Sequence, residues 1–184
     1  MLKSKVKGRY RKGRNARLYQ GDILKDITFV TGRSEKEKEK DEYSLPFFII
    51  MNQDCDLNND FNYRKKTDSE EQDKFLLSIL VCPAFSIEDF ASGNHLGDWK
   101  MRVIYKKEIE KIKKNDSEKR YHYLESNNEL SIPELVVDFK CFFTIPRDLI
   151  YSHKKQGYVA SLNELFREEL SQRFANYLSR IGLP

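Results

Sequence analysis

At 184 residues the chain has the length of one domain, or one domain with tails, and enough mass for a real core. Its 39% hydrophobic and 34% charged residues, with 12 Phe and 10 Tyr, exclude a wholly disordered polypeptide, and no apolar run approaches the ~20 residues of a membrane helix or the core of a signal peptide. Three cysteines without paired spacing fit a reducing cytoplasm, and without a CxxC or HExxH motif no metal or other cofactor is called for.

The charge is concentrated at the start. Residues 1–17 carry Lys3, Lys5, Lys7, Arg9, Arg11, Lys12, Arg14 and Arg17 and no acid, so the remainder of this +4 chain sums to −4. Gly8, Tyr10 and Gly13 interrupt any helical face. The stretch therefore reads as a flexible basic arm, separate from a folded domain over 18–184. Counterion release draws such an arm to polyphosphate with little sequence preference. Lys5, Lys7, Arg9, Arg11, Lys12 and Arg14 are its candidate nucleic-acid contacts. The blander reading is a solvated tail.

Gly21-Asp22 marks a turn, and the β-branched residues of 23–30 predict a strand. RSEKEKEKDE at 33–42 has no apolar residue and is either a loop or an exposed hairpin tip. Residues 45–51 and 75–81 (FLLSILV) predict buried strands, with a long polar excursion over 58–74 between them. Ser86 caps a short helix with Asp89 three residues on. A strand over 100–105 follows, then a charged helical turn over 106–114 with Ile109 and Ile112 on one side. RYHYL at 120–124 alternates as a strand, placing Arg120, His122 and Leu124 on one face and Tyr121 and Tyr123 on the other. LVVDFKCFFTI at 135–145 is the longest strand expected. Ser161-Leu-Asn-Glu164 forms a capping box for a terminal helix over 161–181, closed by Gly182. Its stripe runs through Leu165, Leu170 and Phe174, with Arg167, Glu168, Glu169 and Arg173 turned to water or a partner. Strands first, irregular insertions and one closing helix imply an α+β protein built on a small, mostly antiparallel barrel.

The segment NQDCDLNND at 52–60, directly after a buried strand, admits three readings. As a calcium loop, Asp54, Asp56, Asn58 and Asp60 take positions 1, 3, 5 and 7, but the turn glycine is Asn59 and the position-12 glutamate is Lys65. As a thiolate site, Cys55 needs a base, and His122 oriented by Asp138 is the candidate, but flanking aspartates raise a thiol pKa. As the rim of a cleft, Asn52, Gln53, Asp54 and Asp56 fix a loop by side-chain hydrogen bonds and secondarily touch bases. The carboxylates would then be neutralised by Arg120, Lys140 or the basic arm. The rim reading is favoured.

The order GDI (21–23), LPFFIIMNQD (45–54), LVCPAFS (80–86), IPELVVDFKCFFTIPRDLI (132–150) and a terminal helix resembles the PemK/MazF-like toxins. The resemblance implies an SH3-like barrel, usually a homodimer, that cleaves single-stranded RNA without a metal. Its partner would be a protein antitoxin or a larger complex, in a toxin–antitoxin or phage-defence setting. In that chemistry the 2′-hydroxyl attacks the adjacent phosphate, helped by a base, an acid and a cation. The family's arginine before the strand proline is Leu45 here. Of its Thr-Ser pair only Ser86 matches, and the Gln and Arg of its Asp-Gln-Ile-Arg become Phe139 and Cys141, leaving Asp138. The catalytic candidates are accordingly His122 as acid/base, Ser86 with Asn52 as phosphate or ribose contacts, and Arg33 or Arg120 as the cation, with Lys40 as another. A module of another class, catalytically silent and docked on a partner or sensing a ligand, fits the lost arginine and threonine.

Overall fold

The computed structural model describes residues 8–13, 16–33, 40–66, 72–97, 99 and 101–180. Among these residues, eight strands form one antiparallel sheet: β1 (Tyr10–Arg11), β2 (Asp22–Arg33), β3 (Lys40–Ile50), β4 (Ser78–Ser86), β5 (Tyr121–Leu124), β6 (Leu135–Asp138), β7 (Phe143–Pro146) and β8 (Tyr158–Leu162). Among the same residues five helices accompany it: α1 (Asp54–Tyr63), α2 (Ile87–Ser92), α3 (Lys106–Lys113), α4 (Arg147–Gly157) and α5 (Glu164–Leu178). The strand order is β1-β8-β2-β3-β4-β6-β5, with β7 also on β4. Among the described residues this hydrogen bonding does not close on itself, so the sheet is open where a closed barrel was expected.

The β2–β3 hairpin is paired from Ile23↔Ile49 to Arg33↔Lys40, so the charged run connects two paired strands. Its residues 34–39 lie outside the described ones. Pro46, with no N–H to donate, sits exposed in β3. Alternate residues of the hairpin enter different cores. Ile23 and Ile49 pack with Cys82, Ala84, Val137, Leu162 and, from α5, Leu170 and Phe174. Leu24, Phe48 and Ile50 pack with Val81 and Ile145, with Leu57 of α1 and with Ile150 of α4. The central strands are thus buried on both faces, which is why they read as unbroken apolar runs rather than alternating ones. Each such fully buried Phe, Leu or Ile contributes about 1.5–3 kcal/mol. A third cluster joins Phe85 and Val136 to Phe90 of α2 and to Ile109 and Ile112 of α3.

Several expected elements take another form. The strand over 135–145 is broken by a 3-10 turn, Phe139–Cys141, whose start is held by the Asp138 carboxylate accepting Lys140 N–H at 3.0 Å. The turn lets one strand, β4, pair with β6 along Ala84–Ser86 and with β7 along Ser78–Val81. Residues 101–105 form no strand. The segment after Met51 is not a loop but α1. Ser161 belongs to β8, so it does not cap the last helix; α5 starts at Glu164 after Asn163. Gly182 lies outside the described residues. The α2 and α3 expectations hold: Ser86 Oγ accepts Asp89 N–H at 3.1 Å, and Ile109 and Ile112 are the buried residues of α3.

The edge strand β5 is not left bare. Asn115 brackets it, donating Nδ2–H to Tyr123 O at 2.9 Å and accepting Tyr123 N–H at 2.7 Å. Arg173 of α5 donates to Tyr121 O at 2.8 Å and to Glu118 O at 3.0 Å. Arg173, expected to face water or a partner, instead ties the last helix to the first residues of β5. Both side chains occupy groups that would otherwise template another strand.

Candidate nucleic-acid interface

The residues expected to do chemistry are used by the fold. His122 points inward from β5, fully buried, with both ring nitrogens lacking a hydrogen-bond partner among the described groups. Burial first, and the charges of Arg173 and Arg9 second, lower its pKa to about 3. It is neutral and out of reach of a substrate, and the charges acting on it come from the arm and α5 rather than from Arg120. The expected alternation of RYHYL is correct; the accessible acid/base is not. Arg120 donates Nε–H and an Nη–H to the buried Asp138 carboxylate at 2.8 and 2.5 Å. That bidentate pair raises the arginine's pKa and leaves it no free fork for a phosphate. Ser86 is occupied as the α2 cap and donates to Asp89 Oδ2 at 2.7 Å. The Arg33 side chain lies outside the described groups, as do Lys5, Lys7 and Arg14.

The rim segment is a helix start that ties the arm down. Asn52 Oδ1 accepts Leu80 N–H at 2.6 Å, the loop-fixing role expected of it. Gln53 precedes α1 without a side-chain cap. Asp54 accepts Arg17 Nη2–H at 2.9 Å and Gln20 N–H at 3.3 Å, so its neutralising partner is the basic arm. Burial pushes its pKa up, but Arg17 outweighs burial and the net shift is downward. Asp56 is exposed beside Cys55. Asp60 faces inward to Arg64 and Arg147, at 2.6 and 2.7 Å. With these carboxylates on a helix and two of them turned to arginines, no calcium loop forms. Among the described residues the Cys55 thiol hydrogen-bonds Gln53 and Asp56, not His122. The remaining histidines are also structural: His95 packs against Phe85 and Phe90, and His153 Nε2 lies 2.7 Å from Lys25 O.

Basic residues converge elsewhere, between the arm and the α4–β8 junction. Lys12, Gly13, Ala16, Tyr151, Lys154, Lys155 and Tyr158 line an open groove of about 500 Å³. A smaller pocket of about 200 Å³ shares Lys12, Gly13, Lys154 and Tyr158 with it and adds Arg11, Tyr19, Asp22 and Ser161. The register is set by β1, where Arg11 pairs with Ser161, and by Arg9 and Tyr10, which bond Glu125 through Nε (2.8 Å) and Oη (2.5 Å). The floor is an ordered polar chain. Gly13 N–H donates to Tyr158 Oη at 3.2 Å, and Ser161 donates to Asp22 Oδ1 at 2.5 Å. Since the Ser161 proton is committed, Tyr158 is the donor in its 2.9 Å bond to Ser161 Oγ. Asp22 Oδ2 accepts Tyr19 N–H at 3.0 Å and faces Lys154 Nζ at 3.3 Å. Burial raises the Asp22 pKa and lowers that of Lys154, each opposed by the other's charge. Lys12 and Lys155 are exposed, and neither has a hydrogen bond or ion pair among the described residues.

No protein-family model and no curated protein matches the chain.

The geometry thus retains Arg11 and Lys12 from the expected contacts, adds Lys154 and Lys155, and sets His122, Arg120 and Ser86 aside. Arg9 is drawn off to Glu125, with its guanidinium 4.6 Å above the Phe166 ring. The sequence did hold a signal for the missed half: YSHKKQGY places two lysines between two tyrosines. The signal is faint because 147–157 carries too few apolar residues to announce a helix.

Proposed function

We propose that the protein binds single-stranded nucleic acid, RNA first, in the groove between its basic arm and α4. The carrying observation is the meeting of two lysines, Lys12 and Lys155, without a partner among the described residues, with Tyr151 and Tyr158 in one concavity. Cations neutralise phosphates, while aromatic faces stack unpaired bases at about 1–3 kcal/mol each, without sequence preference. The buried His122 and the occupied Arg120 and Ser86 favour binding over cleavage by those residues.

Kinship with the SH3-like barrel of PemK/MazF-like proteins belongs to the same proposal. It is supported by curl rather than closure: Phe29 of β2 stacks on Phe143 of β7 at 5.4 Å across a shared core. The toxin–antitoxin or phage-defence setting and the homodimer follow only with that kinship.

A labelled 12-nucleotide RNA tests the reading by fluorescence anisotropy. The expected result is binding at low salt, weakened at least tenfold in the Lys12→Glu/Lys155→Glu variant, with the RNA intact after incubation in EDTA. Absence of binding by the folded protein at low salt overturns it. A second reading, a protein-docking module, is favoured by the exposed Trp99 (75%), Val103 (56%) and Tyr105 (76%) between α2 and α3. Loss of partner capture on Trp99→Ala/Tyr105→Ala, with no RNA affinity in the parent protein, would favour it.

A further inference from the structure

The groove and the small pocket beside it differ in chemistry. The groove presents Tyr151, Tyr158 and Ala16, and at about 500 Å³ it falls in the size range of small-molecule sites. The pocket, at about 200 Å³, is the smaller compartment and has room for a phosphate with a few waters, each water occupying about 30 Å³. Its lining supplies Arg11, Lys12 and Lys154 against one carboxylate, Asp22, a formal balance of +2. A phosphodiester carries one negative charge, whereas a phosphomonoester carries about −1.5 to −2 at neutral pH.

We infer that the pocket recognises a terminal phosphate, so that the combined site takes a nucleotide end: phosphomonoester against Arg11 and Lys12, base against Tyr151 and Tyr158. The inference rests on the nucleic-acid reading of the groove. Asp22 does not veto an anion here. Its two oxygens are taken by Ser161, Tyr19 N–H and Lys154, so its charge is spent inside the floor. Tyr158 belongs to both compartments and is fixed by Gly13 N–H and Ser161, which holds the ring at the boundary between them. Arg11 reaches the pocket from β1, and among the described residues its guanidinium meets the Tyr19 ring at 5.6 Å and no carboxylate, so its fork is free for two phosphate oxygens.

The test compares 12-nucleotide RNAs labelled at one end and bearing either a phosphate or a hydroxyl at the other, in both polarities. The expected result is at least tenfold tighter binding of one phosphate-ended strand over its hydroxyl control. Arg11→Gln/Lys12→Gln should abolish that difference, and adenosine 5′-monophosphate should compete while adenosine does not. If the double variant fails to fold, Lys12→Gln alone serves, since that side chain is exposed. Equal affinity for all ends overturns the inference and leaves strand binding standing. A preference that survives in the folded variant also overturns it. Competition by the monophosphate against a labelled nucleotide, with no strand bound, supports the pocket and overturns the strand reading. Binding of neither overturns both.

Discussion

His122 shows what a single buried ring costs. An imidazole with two unmet nitrogens, wedged near Arg9 and Arg173, must remain neutral in the folded protein, while in the unfolded chain it titrates near pH 6.5. Between pH 6.5 and about 3 the unfolded state therefore binds one proton more than the folded state. Stability must then fall as pH falls through that window, by about 1.4 kcal/mol per pH unit. Denaturant midpoints should show a loss of about 2 kcal/mol between pH 6.5 and 5 from this residue alone. In His122→Leu that part of the slope should disappear, with stability at pH 7 equal or higher, because no unmet polar atom is left behind. An unchanged slope in the leucine variant would mean the ring has a partner in solution.

At the level of elements, what could be read in the sequence separates cleanly by what holds each piece. The central strands, the Ser86 cap, the Ile109/Ile112 face of α3 and the Leu170/Phe174 face of α5 were legible, because apolar spacing and cap chemistry are local. The helices α1 and α4 were not, because each buries only one large apolar side chain, Leu57 or Ile150, and is held by charge. Asp60 is the clamp: it is 1% exposed and accepts from Arg64 of the same chain turn, Arg147 of α4 and Leu76 N–H ahead of β4. Segments 16 and 87 residues away along the chain meet on the Asp60 carboxylate, a contact that periodicity cannot announce. Hence also the missed groove, since α4 carries Tyr151, Lys154 and Lys155. Replacing Asp60 by Asn turns an amide donor toward an arginine donor and should cost about 3 kcal/mol in urea denaturation. Asp148→Asn removes another Arg147 partner, at 2.8 Å, but that side chain is 86% exposed and the loss should stay below about 1 kcal/mol. Equal effects of the two would show that the buried clamp contributes no more than a surface pair.

Across the whole molecule the decisive asymmetry is that a −4 body carries a +8 lead-in, and the fold consumes only part of it. Arg9 is held by Glu125 and Arg17 by Asp54, so these two charges are already neutralised before any ligand arrives. Arg11 remains at the small pocket and Lys12 at both pocket and groove, joined in the groove by Lys155, and Lys3, Lys5 and Lys7 precede the strand that anchors the arm. On single strands each neutralised phosphate contributes about −0.7 to the slope of log K against log salt. A chain beginning at Gly8 keeps β1 and the groove but lacks the three leading lysines. If those lysines contact phosphate, its slope should be shallower than that of the full chain by about 2. Lys12→Gln/Lys155→Gln in the full chain should flatten it by about 1.4, through the same relation. Anisotropy titrations from 50 to 300 mM NaCl separate the two contributions. Parallel lines for full and shortened chains would confine binding to the groove, and parallel lines for the lysine variant would move it off the groove altogether.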